Sequence, residues 1–301
     1  MFDKVTIIGI GLIGSSLARV IKREKLAKCL TAHDINKEYL EKAKALGIVD
    51  EACDDLRESA KEADLVVLAT PVGVYEEITK TIAQVLKKGA IITDVGSVKS
   101  VALKSVEANI ADDKEIVVVL GHPVAGTEKS GPEAGFAELF EGRWCILTPS
   151  IKSTDEAVAK VSKMWEKANM KVDIMSAEHH DKVMAAVSHL PHLIAYSIVG
   201  TVSDLEGYEQ KEIIKYSASG FRDFTRIAGS DPTMWRDIFL NNKETILELI
   251  QRFVEDLIAL QRNIRWDEGN KLFDLFSRTQ KIRKEVIESG QGMPEELKKK
   301  E

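Results

Sequence analysis

Apolar residues recur along this chain in two different rhythms, and the change between them divides it. Through the first half, short runs of valine, isoleucine and leucine at 4–9, 30–34, 64–69, 90–94, 115–120, 143–148 and 171–174 read as strands. Amphipathic stretches at 36–47, 74–87 and 153–168 read as helices between them. Strands this uniformly apolar, separated by helices, predict an α/β fold with a mostly parallel sheet covered on both faces. After about Ser176 the strand rhythm stops. Ile246, Leu249, Ile250, Phe253, Val254, Leu257 and Leu260 then form one stripe at helical spacing, and a second helix is expected from about Glu268 to Ser289. These apolar positions exceed what a small helical domain needs for its own core, so an all-α dimerisation domain is expected. A monomer that folds the helices back on its own first domain is the alternative.

The first strand runs into a glycine turn. Lys4-Val5-Thr6-Ile7-Ile8 is followed by Gly9-Ile10-Gly11-Leu12-Ile13-Gly14, and Ser15 onward begins a helix. Gly9 makes the tight turn, Gly11 lets backbone approach a diphosphate, and Gly14 lets helix and strand pack closely. The diphosphate would rest on free amides at the helix start, those of Leu12 and Ile13 included, where the helix dipole favours negative charge. Asp34 closes the second apolar run, twenty positions after Gly14. A carboxylate there accepts hydrogen bonds from ribose hydroxyls and repels a 2′-phosphate, which favours NAD over NADP. The expected layout is therefore a Rossmann-type dinucleotide-binding domain at 1–176, a helical substrate and dimerisation domain at 177–288, and a tail at 289–301.

Composition narrows the class without changing this picture. At 301 residues the chain has room for about two domains, and 44% hydrophobic with 30% charged residues is ordinary for a soluble protein. No stretch reads as a membrane span or signal peptide, and the net charge of −6 argues against a nucleic-acid surface. Cys29, Cys53 and Cys145 are isolated and odd in number, as expected of reduced thiols in a cytoplasmic protein.

Loops after the strands carry candidate chemistry, because ligands in such sheets bind beyond the strands' carboxyl ends. Thr70 and Pro71 are expected to line the cofactor cleft. Ser97, in Asp94-Val95-Gly96-Ser97-Val98-Lys99, is expected to cap a helix and touch a ligand. His122, held between Gly121 and Pro123, is expected to point from a loop into the cleft. In Ser188-His189-Leu190-Pro191-His192, Pro191 suits the first position of a helix, placing His192 in the first turn, where amides and imidazoles can bind a carboxylate. His189 and His192 are three apart, as at some metal sites, but nothing completes a ligand set and no metal is expected. Glu178-His179-His180-Asp181 reads as a solvated helix start without a role. Arg222 and Arg226 precede a helix capped by Asp231 and begun by Pro232; each is a bidentate carboxylate anchor or else a salt-bridge partner.

Together these segments resemble the prephenate dehydrogenases, including arogenate and cyclohexadienyl dehydrogenases. The resemblance lies in GIGLIGSSLA at 9–18, DVGSVK at 94–99, GHPVAGTEKSG at 121–131, SHLPH at 188–192 and GFRDFTRIAGSDPTMWRDI at 220–238. It implies NAD-dependent oxidative decarboxylation of prephenate to 4-hydroxyphenylpyruvate, of arogenate to tyrosine, or of both. It implies further that His122 is the catalytic base, with Ser97 holding the substrate hydroxyl and His122 in register. Arg226 and His192 would then bind the substrate, Thr127 and Trp235 would shape its pocket, and Arg222 and Asp223 would lie at the pocket mouth. Two other readings stay open. A related β-hydroxyacid dehydrogenase would need a helix-borne catalytic lysine, which no motif supplies; a non-catalytic NAD-binding protein would have no use for His122, Ser97 and Arg226 together.

Overall fold

The computed structural model describes residues 1–110, 115–127, 129–204, 215–216 and 219–288. Glu128 of the 121–131 motif and the 289–301 tail lie outside them. One sheet organises the first half. Its strands are β1 (Phe2–Ile8), β2 (Ala27–His33), β3 (Glu51–Ala52), β4 (Leu65–Leu68), β5 (Ile91–Asp94), β6 (Val117–Pro123), β7 (Trp144–Pro149) and β8 (Lys171–Ile174). They lie in the order β3-β2-β1-β4-β5-β6-β7-β8, parallel throughout except between β6 and β7. Two-residue β3 has no counterpart among the expected strands; it is too short to leave a periodic signal.

The apolar runs alternate between two cores, as a strand's two-residue period requires. Leu65 and Val67 pack into one layer, Val66 and Leu68 into the other. The first layer is closed by α1 (Leu12–Arg23), through Leu17, Val20 and Ile21, and by α2 (Lys37–Ala45), through Leu40 and Ala43. The second is closed by α3 (Leu56–Ala60), α4 (Tyr75–Ile82) and α5 (Ser100–Glu107), and the first layer takes α6 (Asp155–Lys167) beside β7. Helix starts follow side-chain caps: Asn36, Asp55 and Thr154 accept the free amides of α2, α3 and α6. Strand order reverses at β1 and β4, which opens the ligand crevice beyond their carboxyl ends.

β6 departs from expectation in a way that matters for the site. It continues to Pro123, so His122 is a strand residue paired opposite Ile146 of antiparallel β7, not a loop residue. β5 pairs with β6 only as far as Ile92 and Val118, so the end of β6 leaves β5 and follows β7.

Beyond β8, α7 (Ala177–Met184) passes through a π-helical turn, Ala185–His189, into α8 (Leu190–Ser203). The amide of Leu190 donates to the carbonyl of Ala185, so the ladder is re-registered one residue ahead of Pro191 without a break. This corrects the expected helix start at Pro191. The run Ala177–Ser203 is also long and apolar enough to cross a membrane by length and composition, where no stretch had read as a span. Downstream lie α9 (Ser219–Thr225), a 3-10 turn at Arg226–Gly229, α10 (Pro232–Asn241), α11 (Lys243–Arg265) and α12 (Gly269–Val286). Asp231 caps α10 by accepting from the Met234 amide at 2.8 Å, as its sequence predicts.

By compactness the chain forms two units, Met1–Ile246 and Leu247–Glu301. The second is a pair of helices whose large apolar side chains, among them Val254, Leu257, Phe273 and Phe276, stay exposed within one chain.

Candidate active site

At the end of β1 the backbone leaves room for glycine alone. Gly9 has φ 96°, and a Cβ on it would lie 2.6 Å from the Ala69 carbonyl oxygen; one on Gly14 would lie 2.0 Å from the carbonyl oxygen of Gly9. A Cβ on Gly11 would meet no protein atom within 4 Å. Gly11 also begins α1 without any side-chain cap, so the first amides of this helix stay available beside open space. Asp34 does two local jobs first: its carboxylate accepts the Ile10 amide at 2.8 Å and the Asn36 amide at 2.9 Å. Carboxylate oxygens accept more than two bonds, so capacity for ribose hydroxyls remains. Thr70, after β4, keeps a buried hydroxyl with no partner, and exposed Pro71 follows it. An uncapped helix start, an open glycine, a carboxylate and an unpartnered hydroxyl on adjacent strand ends fit a dinucleotide.

Where β6 leaves β5, a buried ion pair takes over from the ladder. Asp94, the last residue of β5, accepts the Gly121 amide at 3.0 Å, and Lys99 Nζ donates to the Gly121 carbonyl at 2.8 Å. Lys99 also grips both oxygens of Asp94, at 2.6 and 2.5 Å, and neither side chain touches solvent. Tyr75 Oη and the Gly96 amide donate to Asp94 at 3.0 and 2.9 Å. Burial pulls the Lys99 ammonium below its usual pKa and Asp94 opposes the shift. The pair clamps the peptide next to His122 and the turn that carries half-buried Ser97. Ser97 is not a helix cap, against expectation: α5 starts at Ser100, and no side chain of its own segment caps it. Asp181 caps it instead, accepting the amides of Lys99 and Ser100 at 2.8 Å each.

Asp181 belongs to the segment that read as solvated and without a role, and this too is corrected. His180 and Asp181 are buried on the inner face of α7 with Ala177 and Met184. The helical spacing 177, 180, 181, 184, with apolar residues at both ends and Ser176 as cap, was the signal that could have found them. His180 Nδ1 lies 2.9 Å from Asp181 Oδ1, and His180 Nε2 lies 2.8 Å from His122 Nδ1. Burial, then neighbouring His180 and Lys99, push the His122 pKa well below the ordinary range; burial also lowers His180 and takes His189 down to about 4. Burial raises Asp181, but bonds from His180, Ser100 and Lys99 outweigh it and keep the carboxyl below its usual value. The three histidines are neutral at neutral pH and Asp181 is ionised.

Beside them, His192 stacks on Trp235 with centroids 3.7 Å apart and 22° between planes, and His189 meets the same indole edge-on at 6.0 Å. His192 Nδ1 donates to the Ser188 carbonyl at 2.8 Å, a bond inside a continuous helix rather than at a free N-terminus. The anion-binding helix start expected there is absent because the π turn satisfies the backbone. Val98, next to Ser97, packs with Trp235 and Ile238. Arg226 is exposed at the head of its 3-10 turn, near enough that its charge disfavours protonation of His192. Arg222 and Asp223 are exposed and bonded to each other at 3.2 Å, and Thr127 accepts the Lys129 amide in an exposed turn. Among the described residues no hydrogen bond or ring contact joins Thr127, Arg222 or Asp223 to the histidine cluster.

Family models match nearly the whole chain: "prephenate dehydrogenase, nucleotide-binding domain" over 17–174 and "prephenate dehydrogenase, dimerization domain" over 176–278. A cyclohexadienyl dehydrogenase of Zymomonas mobilis is 41% identical over 283 residues, covering 94% of this chain and 96% of that one. A crystal structure of prephenate dehydrogenase from A. aeolicus, in complex with hydroxyphenyl propionate and NAD+, superposes with TM-score 0.87 at 37% identity over 95% of this chain and 99% of its own. Synechocystis arogenate dehydrogenase superposes with TM-score 0.80 at 27% identity, over 94% and 99%.

Proposed function

The chain belongs to the prephenate dehydrogenase family, and from that premise we propose the residue roles by which it carries out NAD-dependent oxidative decarboxylation in tyrosine biosynthesis. The substrates are prephenate, arogenate or both. The observation that carries the reading is His122: buried, held well below its usual pKa, with Nδ1 2.8 Å from His180 Nε2.

When bound, NAD supplies the hydride acceptor; Gly9, Gly11, Leu12, Ile13, Gly14, Asp34, Thr70, Pro71 and Ser97 hold it. The uncapped start of α1 and the open space at Gly11 support this placement. Asp34 supports a preference for NAD over NADP. His122 Nε2 accepts the proton of the C4 hydroxyl as the C4–H electron pair departs as hydride. The C1–carboxylate bond then breaks, its electron pair enters the ring as CO2 leaves, and the C4 oxygen of the new aromatic ring takes the proton back from His122. Aromatisation drives the step, so positioning and proton handling are what the protein must supply. Ser97 holds the same hydroxyl, Arg226 anchors a substrate carboxylate with His192 beside the side chain, and Trp235 walls the pocket. Thr127 shapes the pocket with Trp235, and Arg222 and Asp223 lie at its mouth.

A division into a dinucleotide-binding domain at 1–176 and a helical domain at 177–288 is part of the same reading. The family's dimerization domain and the exposed apolar faces of α11 and α12 support a homodimer joined through the helical half. Free Cys29, Cys53 and Cys145 support a cytoplasmic site of action.

Initial rates of NADH formation, with prephenate and arogenate each offered against NAD and NADP, test the reading. Turnover with at least one substrate is expected, with a higher kcat/KM for NAD than for NADP. No NADH with either substrate would void the roles of His122, Ser97 and Arg226, and a preference for NADP would overturn the role of Asp34.

A further inference from the structure

We infer that His180 and Asp181 are positioning residues for this reaction: they hold His122 as its Nδ1–H tautomer and so present Nε2 as the acceptor. The inference rests on the proposed role of His122 and adds what makes that role possible.

The argument is one of hydrogen-bond direction. An ionised carboxylate only accepts, so His180 Nδ1 donates to Asp181 across their 2.9 Å contact. Neutral His180 then has only an acceptor at Nε2. His122 Nδ1 lies 2.8 Å from it and must carry the hydrogen. The lone pair of His122 is thereby confined to Nε2. Nothing about His122 alone would choose that tautomer.

Asp181 is well built for the task. Two backbone amides at the start of α5 hold its oxygens, the helix dipole favours its charge, and the side chain of Asn242 donates to its carbonyl at 2.9 Å. It therefore stays ionised and fixed while His180 turns on neither side. As in other carboxylate–imidazole pairs, the carboxylate fixes tautomer and orientation and takes up no proton itself. Titratable groups acting on the His122 imidazole are Lys99 from the loop after β5, His180 from α7 and His189 from the π turn, and Cys145 of β7 meets its backbone. Among them only His180 bonds the imidazole.

The direct test is the tautomer itself. In protein labelled with 15N-histidine, at neutral pH, the spectrum of His122, assigned by comparison with His122→Asn, should show a protonated Nδ1 and an unprotonated Nε2. A protonated Nε2 would overturn the inference. Kinetics add a second reading. His180→Leu should lower kcat about 10- to 100-fold, the usual cost of losing an orienting partner, with the KM for NAD unchanged. The acidic limb of its pH profile should also shift, because the neighbour that helps set the protonation of His122 is gone. His180→Gln should recover part of the loss, since its amide can accept from His122 and donate to Asp181. Parental kcat and pH profile in folded His180→Leu would contradict the inference. An inactive enzyme with the Nδ1–H tautomer would instead overturn the proposed reaction while leaving the wiring intact.

Discussion

Two charged regions of this molecule are built on opposite terms. At the ends of β5 and β6, Asp94, Lys99, Asp181, His180 and His122 are buried, and each spends its hydrogen bonds on the next. On the 222–226 segment, among the described residues, Arg222 and Asp223 make an ion pair only with each other and Arg226 makes none. The first region is organised before any substrate arrives; the second keeps its charge in water until one does. The difference matches the two tasks. Proton transfer needs a base fixed within a fraction of an ångström, whereas capture of a charged carboxylate needs reach and exposed guanidinium.

The comparison can be broken most forcefully at Lys99. Lys99→Met strips the counter-ion from a fully buried carboxylate, and loss of one partner of a buried pair costs about 3–5 kcal/mol. Denaturant unfolding should show a loss of that size; a loss no larger than that of a surface substitution would mean the cluster is not holding the strand ends. Arg226→Ala should leave folding alone and act on substrate. A charge-assisted bond of about 1.5–3 kcal/mol corresponds to a rise in substrate KM of roughly 10- to 100-fold. An unchanged KM would remove Arg226 from the site.

Acid should then weaken the buried region without touching the exposed one. His122, His180 and His189 have folded pKa values below the ordinary 6.5, so the unfolded chain binds more protons in acid than the native one. Their contribution is intact above about pH 6.5 and drains away below it; for His189 the loss continues down to about 4. Each such histidine steepens the fall by about 1.4 kcal/mol per pH unit. Urea midpoints across that range should decline accordingly, and a flat profile would contradict the neutral, buried assignment. Arg222→Ala is the smallest case. As half of an exposed pair it should leave thermal stability unchanged, with a KM effect below that of Arg226→Ala.

Legibility in the sequence follows the same division. Gly9 and Gly14 were readable because only glycine tolerates their backbone contacts, and Asp231-Pro232 because a cap and a helix start are local events. Arg222 and Arg226 read as candidate anchors from guanidinium chemistry alone, although the segment that carries them is α9 and a 3-10 turn rather than a loop. The buried cluster was read only in part. His122 stood out, but its placement in a strand depends on β7, which lies twenty-odd residues later. Asp181 caps a helix whose first residue, Ser100, lies 81 residues upstream, and no local pattern announces a cap supplied from that distance. Lys99 carried no reading of its own, although its partner Asp94 is five residues away. Local pattern thus does not carry the pairing of buried polar groups, since each residue looks solvated until its partner is known.

The most direct measurement is kcat for His122→Asn at saturating NAD and substrate. A base acting on the reacting hydroxyl contributes about 10²- to 10⁴-fold, so kcat should fall by that factor while the KM for NAD stays at the parental value. A parental kcat would contradict the account, since every bond traced from Asp181 through His180 serves that one nitrogen.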